Sequence, residues 1–238
     1  MSSSISASLI RVSIVCLALM TSIGCLRAGT IADGFEAASI SSFWTVIGPG
    51  TSVLTSSIAH SGSQSVVLST VSTYPYWATL SHDFGSDQVG SVSVWVQGDS
   101  LCCRSGAALD IGGSTDWIAT FQQSGQNNCN TCFVARVNLT PSPEHDYAFS
   151  GSASDWHLFE IDAGSDGLTF KFDGSTVFTD PSYTSFRTVD LTIWAGLSGT
   201  VYFDDFTAQT TDAAPEPGTL ILLGGALVGL MGRRCWPK

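Results

Sequence analysis

The sequence predicts an all-β domain, an antiparallel β-sandwich, between two apolar chain ends. Ser, Thr, Gly, Val, Phe and Trp dominate residues 29–212, and helix signals are nearly absent there. Short alternating runs recur at even spacing and are separated by Gly, Asp and Asn, as strands joined by turns are. Because no helical crossover separates consecutive runs, neighbouring strands are expected to pair antiparallel within one domain.

The clearest strand is predicted at residues 91–97, where Val92, Val94 and Val96 share one face. A tight hairpin is predicted at Asp173-Gly174, because glycine readily adopts positive φ. The other predicted strands lie at 64–70, 76–84, 106–111, 115–122, 132–139, 156–162, 167–172, 175–179, 188–195 and 200–207.

Residues 1–28 predict a signal peptide. Arg11 precedes an apolar stretch at 12–23, which has the length found in secretion signals, and cleavage is expected after Ala28. The alternative is a lipoprotein-type cleavage site that ends at Cys25, which would then carry the lipid. Both interpretations predict export.

Residues 213–238 form a second apolar end, built in three parts. Pro215-Glu216-Pro217 cannot continue a helix or a central strand, so it is expected to act as a stiff extended spacer. An uncharged apolar run follows at 220–231 and predicts a short transmembrane helix. Arg233 and Arg234 end that run, as basic residues do on the cytoplasmic side of a membrane segment.

This order of parts resembles the PEP-CTERM sorting signal of Gram-negative bacteria. The resemblance implies that an exosortase-type transpeptidase processes the chain near the PEP motif, and that the apolar segment anchors it in the inner membrane only until then. The alternative is an ordinary C-terminal anchor. Residues 218–232 give roughly 22 Å of helix against a hydrocarbon core of about 30 Å, which is short for a permanent span.

The charge balance between residues 29 and 212 is strongly acidic, with 19 Asp and Glu residues against 4 basic ones and a net charge of −15. Nucleic acid is not expected as a partner, because phosphate recognition needs clustered Lys and Arg. An acidic surface fits calcium, other cations or neutral sugars, or it serves solubility alone.

Five runs carry a second resemblance. Residues 33–36 (DGFE), 59–66 and 201–206 resemble the opening and closing strands of jelly-roll carbohydrate-binding modules. Residues 155–161 and 168–177 resemble concanavalin A-like and laminin-G-like sandwiches. Both families share one architecture, so the resemblance implies an antiparallel jelly-roll β-sandwich at 29–212. The fold alone does not define a function.

Acidic residues near the two ends of this domain predict a metal site. Jelly-roll termini usually lie side by side, so Glu36, with Asp33, could meet Asp205 or Asp204 and bind a structural calcium. The resembling modules hold a structural calcium in this region. The alternative is that these carboxylates are strand ends that face water or accept a backbone hydrogen bond.

Four cysteines lie in or beside two loops that the strand order places at one end of the sandwich. Cys102, Cys103, Cys129 and Cys132 therefore predict two cross-loop disulfides. Cys102 and Cys103 are poor partners for each other, so two pairings remain open. Four thiolates could instead bind zinc, but export into an oxidising compartment favours the disulfides.

Catalysis is not expected. Residues 159–164 resemble the E-x-D-x-E run of laminarinase-type glycoside hydrolases, in which two glutamates act as nucleophile and general acid. Here Glu160 and Asp162 match, but Gly164 stands where the second glutamate belongs. Serine-hydrolase, zinc-protease and phosphate-loop motifs are absent from the sequence.

Aromatic side chains supply the candidate ligand-binding residues. Trp95 and Trp194 are expected on strand faces opposite the core, as is Arg136, and Tyr76 and Trp77 form a second candidate beside Pro75. Sugar binding needs a flat aromatic face and polar groups for hydroxyls. The alternative is that both faces of these strands are covered and each tryptophan belongs to the core.

The sequence therefore predicts an exported, non-enzymatic protein of the cell surface or extracellular polysaccharide matrix. Glycan binding is the predicted function. The expected partners are the exosortase, extracellular polysaccharide and, before processing, the membrane. The alternative is a structural surface or matrix protein without a specific ligand.

Overall fold

The structure is a computed structural model that describes residues 29–70, 77–98, 106–124, 132–137, 145–148, 152, 154–194 and 199–212. Within these ranges all regular structure is β, in fourteen strands. The strands are β1 (Gly29–Asp33), β2 (Thr45–Ile47), β3 (Thr51–Thr55), β4 (Ser65–Ser69), β5 (Trp77–Gly98), β6 (Gly106–Gly112), β7 (Trp117–Ser124), β8 (Cys132–Val137), β9 (His145–Ala148), β10 (His157–Gly164), β11 (Gly167–Phe172), β12 (Ser175–Asp180), β13 (Phe186–Trp194) and β14 (Thr200–Asp212).

The long strand β5 belongs to both layers of the sandwich. Its second half lies between β10 and β14 in sheet I, whose order is β12-β11-β10-β5-β14, with β1 and the β4–β3 pair beyond β14. Its first half lies between β2 and β13 in sheet II, whose order is β2-β5-β13-β6-β7-β8-β9. Every pairing is antiparallel, so the predicted all-β antiparallel jelly-roll sandwich is confirmed.

Two glycines with positive φ lie where β5 passes between the sheets. Gly85 has φ of 81° and Gly90 has φ of 130°. A side chain at Gly90 would overlap the backbone of Gln209 on β14, so only glycine allows the close approach of these strands. These glycines interrupt the alternation, which is why the sequence predicts two strands where the structure has one.

The core lies between the two sheets. Val92, Val94 and Val96 are all buried, which confirms the predicted inward face of that strand. Aromatic rings join the layers: Phe121 of sheet II stacks on Phe159 of sheet I with ring centroids 4.5 Å apart. Burial of such rings dominates the hydrophobic stabilisation of a sandwich core.

The predicted hairpin at Asp173-Gly174 is confirmed. It joins β11 to β12 with two residues, whose φ angles of 49° and 78° are those of a type I′ turn. The Asp173 carboxylate also accepts hydrogen bonds from the Leu158 amide (2.8 Å) and from His157 Nδ1 (2.9 Å). The turn is therefore tied to the neighbouring strand β10.

The first and last strands pair with each other, with Asp33 opposite Phe206. Strands β1, β2, β3 and β9 are additional to those predicted. Strand β2 is exposed throughout, with Val46 52% exposed, so it lacks the alternation that identifies a strand.

Both apolar chain ends, residues 1–28 and 213–238, lie outside the described residues. Among the residues that are described, no helix has the length and apolar character needed to cross a membrane.

Candidate functional site

Sheet II has an unusual second face. Strand β6 is buried along its whole length, on the core side and on the opposite side. The side chains opposite the core include Asp110, which is 2% exposed, and Ala108. A strand buried on both faces is common, but a polar side chain on such a face is costly unless it is hydrogen-bonded.

Five polar residues line up across this face, one from each of five neighbouring strands. The register places Asp190 opposite both Ser81 and Asp110, Asp110 opposite Thr120, and Thr120 opposite Arg136. We call this set the polar row. Directly opposed residues lie about 4.5–5.5 Å apart between their Cα atoms, so the row is one continuous strip of donors and acceptors.

The two carboxylates of the polar row differ in environment. Asp110 accepts a hydrogen bond from the Thr120 hydroxyl. Burial raises the pKa of Asp190, and the hydrogen bond from Ser81 opposes that shift. Asp190 Oδ1 is itself buried and has no hydrogen-bond partner among the described residues. A buried carboxylate oxygen in this state calls for a functional explanation.

A second polar pair lies two residues further along the same strands. Thr79 and Thr192 are both buried, and their hydroxyl oxygens are 2.9 Å apart. Beyond them the backbones of Trp77 and Trp194 pair in register. The indole of Trp77 lies against Gly48, where a Cβ would overlap the ring.

The structure separates the predicted ligand-binding residues. Arg136 lies in the polar row. Trp77 lies in the same sheet, on β5, four residues before Ser81. Trp194 ends β13 in the same sheet. Trp95 belongs to sheet I. Tyr76 lies outside the described residues.

Trp95 is partly exposed and covered by a histidine. The His60 imidazole stacks on its indole with ring centroids 3.8 Å apart and 13° between planes. Trp156 meets the same imidazole edge-on at 5.7 Å. The indole face that a sugar would need is therefore covered by His60.

The acidic residues predicted to bind calcium surround the loop that carries His60. Asp204 accepts hydrogen bonds from the amides of His60 (2.8 Å) and Ser61 (3.2 Å). Asp205 lies 2.7 Å from both His60 Nδ1 and the Ser61 hydroxyl. Glu36 accepts from the loop as well, and the largest cause of its lowered pKa is the bond from the Ser63 hydroxyl. We call Glu36, Asp204 and Asp205 the carboxylate clamp.

Asp33 lies outside the carboxylate clamp and holds the segment that follows β1. Its Oδ1 accepts a hydrogen bond from the Phe35 amide (2.8 Å), and its Oδ2 accepts one from the Trp44 indole (2.9 Å).

Within the described part of the chain, no group of three or more His, Cys, Asp and Glu side chains is arranged to hold a metal. Calcium takes many of its ligands from backbone carbonyls. Calcium at Glu36 and Asp205, with Asp33 and Asp204, stays a prediction.

Removal of calcium tests that prediction. We expect EDTA to lower the melting temperature by roughly 5–10 °C from its value at saturating calcium, because an ion that binds the native state alone stabilises it. The melting temperature of Asp205→Ala should no longer respond to EDTA. Asp166→Ala, which changes an exposed hairpin residue, should respond as wild type does. If EDTA does not change the wild-type melting curve, these carboxylates do not bind calcium and serve only as hydrogen-bond acceptors.

The predicted disulfides fall mainly outside the described residues, which include none of Cys102, Cys103 and Cys129. Cys132 begins β8. Two disulfides among these four residues stay a prediction.

The run that resembles a glycosidase motif lies on sheet I. Glu160 and Asp162 both contact the Lys171 ammonium, Glu160 at 2.7 Å. Their contacts raise the pKa of Lys171, Asp162 more than Glu160. The two carboxylates thus form an ion-pair cluster across β10 and β11.

Asp110 was not among the residues predicted to bind a ligand, whereas Asp190 is expected beside Trp194 on the face opposite the core. The signal is present in the sequence: Asp110 lies between Leu109 and Ile111, and Asp190 between Val189 and Leu191. Strict alternation places each aspartate opposite an apolar core face. That both lie in one row follows from the pairing of β13 with β6, which sequence spacing does not reveal.

Solved structures share this fold. "Cellulose induced protein, Cip1" has 20% identity and a TM-score of 0.57, covering 75% of this chain and 96% of that one. "Apo Crh5 transglycosylase" has 16% identity and a TM-score of 0.60, covering 80% and 86%. A Bacillus licheniformis β-glucanase has 12% identity and a TM-score of 0.54, covering 78% and 98%. These likenesses show the fold.

A comparison with curated proteins finds no match. A family model described as "PEP-CTERM protein-sorting motif" matches residues 213–234, which confirms the resemblance predicted for the C-terminal end. Such a motif marks a chain for export with transient anchoring in the membrane. The protein therefore carries a PEP-CTERM sorting signal behind a jelly-roll β-sandwich domain.

Proposed function

We propose that this exported protein binds a neutral glycan at the polar row and does so without catalysis, at the cell surface or in the extracellular polysaccharide matrix. The observation that carries the proposal is the alignment of five polar side chains across the second face of sheet II, of which Asp110 and Thr120 are buried and the other three are half-buried. An exosortase-type transpeptidase, acting at Pro215-Glu216-Pro217, delivers the domain there.

The chemistry of the row suits sugar hydroxyls, which both donate and accept hydrogen bonds. Asp110 and Asp190 accept, the Arg136 guanidinium donates, and the Thr120 and Ser81 hydroxyls do either. Ligand sites commonly combine an apolar surround with a few such convergent polar groups. Asp190 Oδ1, which is buried and has no hydrogen-bond partner among the described residues, supports a binding role because a ligand hydroxyl could donate to it.

The charge of the domain favours a neutral ligand. A net charge of −15 between residues 29 and 212 repels uronate- or sulfate-rich chains at long range. The names of the structural neighbours, a transglycosylase and a β-glucanase among them, also belong to carbohydrate chemistry. Because their sequence identity with this chain is low, they support a carbohydrate ligand only through the shared fold.

Absence of catalysis is part of the proposal. The sequence lacks the second glutamate of the motif at Gly164, and Glu160 and Asp162 both pair with the single ammonium of Lys171. Prolonged incubation with any glycan that binds should therefore release no new reducing ends. Release of such ends would assign the two aspartates of the polar row a catalytic role instead.

A glycan array probed with the exported protein tests the function. We expect signals for a related set of neutral glycans, since a fixed row of donors and acceptors selects hydroxyl patterns. If the folded protein binds no glycan on the array, the alternative is favoured: a structural matrix protein without a specific ligand.

The pH dependence of stability tests the state of Asp190. Because its folded pKa is raised above the ordinary value of 3.8, the folded state holds the proton more tightly than the unfolded state. The contribution of Asp190 to stability is therefore greatest below pH 3.8 and is lost as the pH rises through the folded pKa. Asp190→Asn removes this loss, so the variant should gain stability over wild type as pH rises from 3 to 7 in denaturant titrations. If the difference in unfolding free energy between Asp190→Asn and wild type stays constant from pH 3 to 7, the pKa of Asp190 is not raised.

A further inference from the structure

A second candidate site lies at the end of sheet II, outside the polar row. A cavity of about 340 Å³ opens between the turn that joins β6 to β7 and the segment that leads into β13. Trp117 and Tyr183 line it, with Phe186 and Ile118 beneath. The volume falls at the lower end of the roughly 300–1,000 Å³ found for small-molecule sites.

We propose that this cavity binds a single neutral sugar ring, as a site separate from the polar row. Asp110 of the polar row and Gly113 of the cavity are three residues apart on the chain, a separation of about 10 Å along a strand. The two sites can therefore be tested one at a time. Sugar binding in the cavity depends on the residues that line the cavity. It does not require the polar row to bind a glycan.

The apolar part of the cavity is built on the core. Phe186 is 1% exposed, Ile118 is buried, and Tyr183 packs against the core cluster. Trp117 is 36% exposed, the most exposed tryptophan side chain described. An indole held at the mouth of a cavity offers a flat face to the C–H groups of a sugar ring.

Polar groups surround this aromatic wall. Asp87 and Asp116 supply carboxylate acceptors, and Ser114, Thr115 and Ser185 supply hydroxyls. The Thr115 hydroxyl donates to Asp116 Oδ2 at 3.3 Å, which leaves Asp116 Oδ1 for other donors. A sugar ring presents hydroxyls, which donate hydrogen bonds to carboxylates, and C–H groups, which pack on an aromatic face. The cavity has both kinds of partner.

The turn at the cavity is held in place before any ligand arrives. The Gly113 amide donates to the Asp116 carbonyl at 2.7 Å, which closes the turn. A Cβ at Gly112 would overlap the Thr188 hydroxyl, so the backbone lies directly against β13. Binding then requires little ordering of the backbone, and a small ligand keeps more of its interaction energy.

The charges of the cavity define the class of ligand. Asp87 and Asp116 repel a uronate or a sulfated sugar. The nearby cation Arg187 donates to Asp83, with Nε 2.9 Å from Oδ1, and so is already paired. A quaternary ammonium could also use two aromatic rings and two carboxylates, but the three hydroxyl side chains of the rim favour a hydroxylated ligand.

Ligand-observed NMR with neutral monosaccharides on the purified exported protein tests the proposal. We expect Trp117→Ala and Asp116→Asn each to weaken binding of the preferred sugar roughly tenfold or more, the usual loss when an aromatic or hydrogen-bonding anchor is removed. Asp166→Asn, which removes a carboxylate from the exposed hairpin between β10 and β11, should leave this binding unchanged. Ile47→Ala, which truncates a similarly exposed side chain (40%) far along the chain, serves as the matched control, and melting curves verify folding.

Four results would overturn the assignment. One is no saturation-transfer signal from any neutral sugar at tens of millimolar with folded wild-type protein. Another is equal binding by wild type and Trp117→Ala. The third is tighter binding of tetramethylammonium than of every sugar, which would assign the cavity to cationic ligands. Loss of sugar binding in Asp190→Asn alone would place the ring in the polar row.

Discussion

Replacement of Asp204 by alanine is expected to destabilise the domain by about 2–4 kcal/mol and to lower its melting temperature by roughly 5–15 °C. Its side chain is fully buried, at 0% exposure. It accepts three backbone hydrogen bonds, from the amides of His60, Ser61 and Asp205. Alanine would remove all three acceptor contacts at once and leave a cavity beside β14.

The same substitution should change the environment of a tryptophan. Asp204 holds the loop that places His60 on Trp95, so its loss should separate the two rings. We expect an altered tryptophan emission spectrum and near-UV circular dichroism below the melting transition. Asp166→Ala, at an exposed hairpin, is the control and should stay within about 0.5 kcal/mol of wild type. Equal melting curves for the two variants would contradict the structural role of the clamp.

Replacement of Pro215-Glu216-Pro217 by three alanines is expected to abolish processing of the C-terminal end. The motif lies inside the matched sorting signal at residues 213–234. Proline lacks the amide hydrogen that a helix interior needs and so disfavours helix. Alanines would allow helix to extend into the segment that the transpeptidase must reach. The signal peptide predicted at residues 1–28 is untouched, so export should continue.

Intact-mass analysis of membrane and released fractions measures this effect. The alanine variant should remain in the membrane fraction with its C-terminal residues attached, whereas wild type loses them. Pro237→Ala, beyond the matched residues, is the control and should be processed normally. A variant that is released with the same truncated mass as wild type would contradict the role of the motif.

Local patterns in the sequence predict much of the fold. Alternation identifies the inward face of Val92, Val94 and Val96, because each successive residue of a strand faces the other way. The Asp-Gly pair at 173–174 predicts its turn because both residues tolerate positive φ. The sorting signal is equally local, since its parts are contiguous.

Features that depend on distant contacts are not predictable in this way. Trp95 is expected on an outer face, yet His60, from a loop, covers it. Asp110 and Asp190 meet only because β13 lies between β5 and β6, an order that follows from the whole sheet. The carboxylate clamp likewise joins residues near both ends of the domain through a third segment at 60–64.

The central claim is that the polar row binds a neutral glycan. Isothermal titration calorimetry with a glycan selected on the array tests it most directly, comparing Asp190→Asn with Asp166→Asn. Each variant removes one carboxylate charge, but only Asp190 lies in the polar row. We expect Asp190→Asn to weaken binding roughly tenfold or more, as loss of a buried charged acceptor does, and Asp166→Asn to bind as wild type does. Equal affinity of both variants and wild type would contradict it.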